Sequence, residues 1–506
     1  MIQVTVKEDL VRRTLILLLV AITGLVLAPP AQAAPGFAVS YETIPGQGGT
    51  ALKAFVVEPI GRGSGPFPLL VFPSSWGVND IEYVGAAAKL AYESGYTVIS
   101  YTSRGFWDSA GEIDVAGPDT IADVSRVIDW GIANAGGDPG KVGVGGISYG
   151  AGQSLLAAAA DPRIKAVAAL STWTDLARSL YPNETVSKQA VELLLAAGNL
   201  TGRPGSVLRE AEAAYRENRF EDVLPISPPR SPASKVSSIK AAVMIGNAWN
   251  DGLFPPGQVT DFFAQLTGPK RLMLSPGDHA TAELFGAAGL PNDIWASVGR
   301  WFDHHLRGVD NGINRENAVQ VKPNNGGGWR SFPSWGAATA KTSTMELSSD
   351  WNTTGWPTIA ESGTVMVSGA LQAFLNIPTG VSIPLVDRLA AGVWHGPVQW
   401  SGTTVSGTPR AHLTVTTSSD TTSLFAYLYE VNALGLGALV THKPVTLHGA
   451  GTRTLDLDLE PTVWDVAPGN RLVLVVDSVD ARYGGESRLG GSVSFGSDSW
   501  LKVPQA

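Results

Sequence analysis

Ser148 stands between two glycines in Gly146-Ile147-Ser148-Tyr149-Gly150, where the apolar run Val142 to Ile147 gives way to a helical segment opening at Tyr149. A serine hydroxyl is a weak nucleophile, and it attacks a carbonyl only when a base takes its proton and a carboxylate holds that base. The glycines suit a strand-to-helix turn so tight that side chains beside the serine would collide. Such a turn lifts the hydroxyl clear and aims the Tyr149 amide at an oxygen that becomes negative in acyl transfer. The base is found by elimination among seven histidines. His304 and His305 lie within a helical pattern, and His395, His412, His442 and His448 lie in a region that reads as β structure. His279 remains, in Pro276-Gly277-Asp278-His279 just past the apolar run Lys270 to Ser275. Asp251 follows the preceding run and is the expected acid. Asp278 competes, but a neighbour in sequence is badly placed to bond the same imidazole. The second oxyanion donor is expected in Ser74-Ser75-Trp76-Gly77: the amide of Trp76 or Ser75, or the Ser75 hydroxyl. Trp76, Trp107, Trp173 and Trp249 each fall in a loop after a strand. They read either as an apolar substrate pocket or as braces for those loops.

The elements that must position these residues alternate. Leu69 to Ser75 and Tyr96 to Tyr101 are continuous apolar runs of the kind that strands buried on both faces show. Helical patterns cover Asp80 to Glu93 and Asp119 to Ala135, and strands recur at Ala166 to Leu170, Ala241 to Ala248 and Lys270 to Ser275. This βαβα order predicts a parallel sheet between helices. From Trp173 to Ser234 helical stretches joined by Pro-rich loops interrupt the order, well placed for a helical lid over the site. An amphipathic helix, Pro291 to Leu306, closes the sheet region. Past about Glu316 no convincing helix appears, and short Thr/Val/Leu-rich segments predict an all-β sandwich or jelly roll. The fold class is therefore α/β with a helical lid insertion, followed by an all-β domain. The expected boundaries are 1–33 leader, 34–315 catalytic domain with a lid at about 173–236, and 316–506 β-sandwich.

Composition narrows the function. The 506 residues are 44% apolar and 16% charged, with a net charge of −9 and no basic run, so there is no electrostatic footprint for nucleic acid. The absence of cysteine excludes disulfides, thiolate metal sites and a cysteine nucleophile. No cofactor or metal is called for, and the expected partner is a small ester, amide or short peptide. Arg12-Arg13, the apolar run Thr14 to Ala28 and Ala31-Gln32-Ala33 form a secretory leader pattern, too short for a bilayer span.

Taken together, these segments resemble the cocaine-esterase-like and X-prolyl dipeptidyl-peptidase group of α/β-hydrolase serine hydrolases. The residues that carry the resemblance are GISYG at Gly146 to Gly150, the WND ending in Asp251, the PGDH ending in His279, Trp301 to Ile313, and Arg104-Gly105 with Ser109 and Gly111. The resemblance implies Ser148 as nucleophile, Asp251 as acid and His279 as base, with a C-terminal jelly roll. Ser103 stands where an aspartate often precedes Arg-Gly in the group, which questions a local salt bridge to Arg104. The lid offers no acidic residues that map onto those a dipeptidyl peptidase uses to hold a free amine. That favours ester or amide hydrolysis over X-prolyl dipeptidyl-peptidase action, with a non-catalytic binding protein as the alternative from another class.

The leader pattern yields a direct expectation. N-terminal sequencing of protein from the medium or cell envelope should begin near Ala34. Recovery of Met1 from a cytosolic fraction would overturn it.

Overall fold

The computed structural model describes residues 36–506, so the expected leader lies outside the described residues. The first sheet is built from β1 (Phe37–Pro45), β2 (Ala51–Pro59), β3 (Phe67–Pro73), β4 (Thr97–Tyr101), β5 (Gly137–Ile147), β6 (Ile164–Leu170), β7 (Ala242–Ala248), β8 (Lys270–Ser275), β9 (Val319–Val321) and β10 (Arg330–Phe332). Its strand order is 1-2-4-3-5-6-7-8-9-10. Neighbours from β4 through β3 to β9 pair in parallel, while β1, β2 and β10 pair antiparallel at the two edges.

Alternation along the strands sends side chains to two cores, one on each face. In β3, Leu69 and Val71 join Val124, Val127 and Ile128 of α2 (Pro118–Asn134) and Leu155 of α3 (Tyr149–Ala160). Leu70 and Phe72 face the other way, onto Leu90 of α1 (Val84–Ser94) and onto Ile294, Val298, Trp301 and Phe302 of α10 (Asp293–Arg307). Both faces are covered, which is why the central strands read as unbroken apolar runs. Between β6 and β7 lie α4 (Leu176–Leu180), α5 (Lys188–Thr201), α6 (Ser206–Arg216), α7 (Phe220–Val223) and a string of 3-10 turns ending at Ser238. These form the lid. The remaining helices, α8 (Pro256–Gln265) and α9 (Glu283–Ala287), follow β7 and β8.

Two expectations need correction. The first sheet does not end before Glu316: β9 adds in parallel to β8, and β10 extends it to Phe332. At three residues each these strands carry too little pattern to be read, yet they cover the β8 edge. Beyond them a helix does occur, α11 (Ser368–Leu375). It packs Gly369 against the loop that carries His279, so close that a Cβ there would lie 2.7 Å from the Gly277 carbonyl oxygen.

The C-terminal region otherwise forms two antiparallel sheets facing each other. Leu413 and Val415 from one and Leu424, Leu428 and Leu474 from the other share one core. The strand Thr421–Val431 is buried along nearly its whole length, because its other face, through Phe425, Tyr427 and Tyr429, meets a further cluster. The lid is tied to this sandwich by the Gly484 amide to the Val186 carbonyl (2.8 Å), the Gln189 amide to the Arg482 carbonyl (3.0 Å), and paired hydroxyls of Thr185 and Thr446 (2.9 Å).

Arg104 does find a salt bridge, though not to a neighbour in sequence. It donates from Nε and Nη2 to both oxygens of Asp123 on α2, at 2.6 and 2.7 Å, with the two residues 7% and 1% exposed. Asp123 also accepts the Gln47 amide at 2.7 Å. Breaking a buried pair from one side leaves an uncompensated charge. Asp123→Ala should therefore lower unfolding free energy by about 3–5 kcal/mol, read by denaturant titration.

Candidate active site

The turn at Ser148 has φ 56° and ψ −117°, a conformation that L-residues seldom adopt. It persists because the surroundings admit nothing larger. A Cβ on Gly150 would lie 2.0 Å from the Pro73 carbonyl oxygen, and one on Gly146 would lie 3.0 Å from the Gly150 carbonyl carbon. The two glycines are thus demanded by the approach of α3 to the end of β3.

The hydroxyl so presented meets the expected partners. Ser148 Oγ lies 2.8 Å from His279 Nε2, and His279 Nδ1 lies 3.1 and 3.0 Å from the two oxygens of Asp251. Asp251 is itself held by the amides of Leu253 (3.0 Å) and Phe254 (2.7 Å). Asp278, the competing acid, is turned elsewhere: its Oδ1 accepts the amides of Gly252 (2.8 Å) and His279 (2.7 Å). It is a backbone clamp joining the two catalytic loops. Burial works to depress the His279 pKa, but the charge and hydrogen bond of Asp251 outweigh it and hold the imidazole above its ordinary value.

Of the oxyanion candidates, Ser75 is excluded. Its amide and its hydroxyl both donate to Glu82, at 2.8 and 2.6 Å. The amides of Trp76 and Tyr149 make no hydrogen bond among the described residues, and both residues border the cavity beside Ser148. They are the pair of donors the geometry leaves open for an oxyanion.

The four tryptophans divide. Trp76 and Trp173 line the cavity, each within reach of the Tyr149 ring at centroid distances of 5.1 and 6.0 Å. Trp107 and Trp249 do not. Trp107 is 42% exposed and donates to the Gly77 carbonyl at 2.9 Å, while Trp249 is buried in the sheet core and donates to the Lys322 carbonyl at 2.7 Å. Those two brace loops. An indole after a strand fits either role, and only the side it turns to decides.

Three buried residues escaped the sequence reading. Glu82 holds the loop that carries the Trp76 amide, and burial pushes its carboxyl up to about 7 against the Ser75 bonds. Glu283 accepts the Ser171 hydroxyl at 3.2 Å, and Ser171 in turn accepts the Ala280 amide at 3.0 Å, so this chain supports the histidine loop from beneath. Burial raises Glu283 to about 7 as well. Arg482 comes from the C-terminal sandwich. It is buried, donates to the Ser362 carbonyl at 3.2 Å, and brings Nη2 within 3.1 Å of where a Gly252 Cβ would sit. Burial raises the Asp278 pKa, and the Arg482 charge partly offsets that rise. The carboxylates could be suspected only as acids within apolar patterns, and nothing in its segment marks Arg482.

Among the described residues no group of three or more potential ligands could hold a metal. The arrangement has the geometry to supply a nucleophile, a base held in one tautomer by Asp251, and two amide donors. Asp251→Asn should retain the shape of the site but lower turnover roughly ten-thousandfold, by favouring the wrong tautomer. Asp278→Asn should cost far less, because an amide oxygen still accepts from a backbone N–H. A base acts only when neutral, so kcat/KM of wild type on a neutral ester should fall with acid through a midpoint above the ordinary 6.5 of histidine. In Asp251→Asn that midpoint should drop, since burial is then opposed by less charge.

Residues 48–281 match the family model described as X-Pro dipeptidyl-peptidase (S15 family), and residues 401–491 match that of the X-Pro dipeptidyl-peptidase C-terminal non-catalytic domain. Two curated relatives bear the Xaa-Pro dipeptidyl-peptidase name. The one from Bacillus anthracis is 25% identical over 374 residues, 69% of this chain and 61% of its own length. The one from Bacillus cereus is 24% identical over 375 residues, 69% of this chain and 63% of its own length. The chain thus spans less than two thirds of these relatives. Among solved structures, an alpha-amino acid ester hydrolase superposes with a TM-score of 0.72 at 15% identity, covering 95% of this chain and 98% of the other. A CocE/NonD family hydrolase from Staphylococcus aureus gives 0.71 at 14% identity, covering 95% and 100%. At these identities the likeness is one of fold. Residues 48–281 and 401–491 thus match, in order, the models of two S15-family domains, on an α/β-hydrolase fold shared with both solved structures.

Proposed function

We propose that the chain cleaves ester or amide bonds through an acyl-enzyme formed on Ser148, and that it does so outside the cytoplasm. The observation that carries the catalytic reading is the unbroken line of hydrogen bonds from Ser148 Oγ through His279 to Asp251. Export rests on the leader pattern before Ala34 alone. In the first half-reaction Ser148 Oγ bonds to the substrate carbonyl carbon and its proton passes to His279 Nε2. The carbonyl oxygen takes the negative charge between the Trp76 and Tyr149 amides. Collapse expels the alcohol or amine, which leaves with the proton from His279. Water then adds to the acyl-enzyme with His279 again as base, releasing the acid and restoring the serine hydroxyl. Throughout, Asp251 stabilises the imidazolium without itself being protonated.

A second reading, X-Pro dipeptidyl-peptidase action, is favoured by the family match over residues 48–281 and by the names of the two Bacillus relatives. It requires a partner for the substrate's free amine. Among the described residues, none that lines the cavity beside Ser148 carries a charge.

A fluorophosphonate probe should label the purified protein, and Ser148→Ala should abolish labelling and lower turnover by on the order of a millionfold. A panel of acyl esters, amides and X-Pro anilides then separates the two readings. Retention of a tenth of wild-type activity by the folded Ser148→Ala variant would remove Ser148 from the nucleophile role. Fast turnover of X-Pro anilides with slow turnover of esters would establish the second reading over the first.

A further inference from the structure

The cavity beside Ser148 has a chemistry that hydrolysis alone does not require. It is a half-open cavity of about 190 Å³. A closed apolar cavity of roughly 150 Å³ stays dry and admits benzene, so this one holds at least a ring-sized hydrocarbon group. The lid walls it with Leu176, Leu180, Val191, Leu195, Leu208 and Phe220. The side-chain polar atoms of its other residues are engaged elsewhere. Trp76 Nε1 donates to the Leu194 carbonyl and Trp173 Nε1 to the Arg230 carbonyl, both at 2.8 Å. The Tyr149 hydroxyl accepts the Ala116 amide at 2.7 Å, the Tyr215 hydroxyl donates to Glu192 at 3.1 Å, and the Ser227 hydroxyl accepts the Ala177 amide at 2.9 Å. Besides Ser148 itself, only Tyr181, which is partly exposed, keeps a hydroxyl without such a bond. A charged or polar group entering here would lose its hydration and find little in exchange.

The position of the cavity says which half of the substrate it takes. His279 must hand its proton to the leaving group, so the leaving group lies over Nε2. His279 does not line the cavity; Phe254, which does, packs edge-on against the imidazole at 5.1 Å. The cavity instead opens at Ser148 beside Trp76 and Tyr149, the residues whose amides are left for the carbonyl oxygen. It therefore extends from the acyl side.

Resting on the acyl-enzyme reading above, we propose that the lid cavity is a binding site for an uncharged hydrocarbon acyl chain of medium length. The substrates are then esters of aliphatic carboxylic acids, and acyl groups bearing a free α-ammonium are rejected. Cleavage follows the two half-reactions already described, the chain staying in the cavity while the alcohol departs and water enters.

The test uses p-nitrophenyl esters from acetyl to dodecanoyl, with active sites counted by fluorophosphonate titration. Each methylene buried is worth about fourfold in kcat/KM, so the rise over the four methylenes from acetyl to hexanoyl should be roughly 250-fold, ending in a plateau once the cavity is filled. Octanoyl ester should be cleaved at least tenfold faster than its 2-amino analogue at neutral pH. Ala211→Trp, on the lid helix α6, should narrow the cavity and lower the ratio of octanoyl to acetyl turnover. A flat or falling series in labelled, active wild type would overturn the acyl-chain site while leaving the serine-hydrolase reading intact. So would preference for the 2-amino ester. Absence of labelling and of acetyl ester cleavage would instead remove the underlying reading, and this proposal with it.

Discussion

The approach of α3 to the end of β3 is the constraint on which the site depends. With Gly150 against the Pro73 carbonyl, the helix starts so close to the neighbouring strand that no side chain fits between them. Two consequences follow from one contact. The helix N-terminus carries the Tyr149 amide, and the loop leaving β3 carries the Trp76 amide, so unbonded donors from two distant parts of the sequence belong to residues that border the same cavity. Glu82 completes the arrangement by occupying both donors of Ser75, which leaves its successor's amide to face the site. The strained φ of Ser148 is held by this packing, as strain at functional turns generally must be.

The second structural dependency runs through the C-terminal sandwich. The lid is fixed on one side to the catalytic sheet, through Trp173 Nε1 to Arg230 and Trp76 Nε1 to Leu194, and on the other to the sandwich through Val186, Gln189 and Thr185. Val365 and Met366, just before α11, enter the same apolar cluster as the lid residues Ala190, Leu195 and Leu208. The lid that walls the cavity is thus packed against both other regions of the chain. A domain that donates no residue to the cavity thus braces the lid that covers it.

How far the sequence disclosed this depends on what kind of signal each feature leaves. Ser148, Asp251 and His279 were legible because a tight turn needs glycines, and because the chain holds few histidines outside helices and the β region. The two-faced burial of β3 and β4 was legible as unbroken apolar runs. The strands β9 and β10 were not, since three residues carry no period. Helix α11 was missed because an apolar octet among β segments reads equally well as a strand. Ser75 and Trp76 could not be told apart, because the choice turns on where one backbone amide points, and that is settled by Glu82 seven residues on. The split among the tryptophans had the same cause. Side-chain type marks a position as large and half-apolar, whereas direction comes only with the packed loop.

The charges around the triad explain how a buried histidine remains usable as a base. Asp251, Asp278, Glu82 and Glu283 all lie in the same buried region, and four full negative charges would hold the imidazole protonated far above neutral pH. Burial counters this. It raises Glu82 and Glu283 to about 7, so each carries only part of a full negative charge near neutral pH. It raises Asp278 too, with Arg482 from the sandwich supplying the compensating cation beside it. The carboxylate that hydrogen-bonds the ring is then the one whose charge His279 chiefly feels. Its charge and hydrogen bond lift the imidazole above its ordinary value against the effect of burial. Titration in such a cluster belongs to the group rather than to single residues. The base strength of His279 is accordingly a property of the buried acids and of the arginine that reaches them from the other domain.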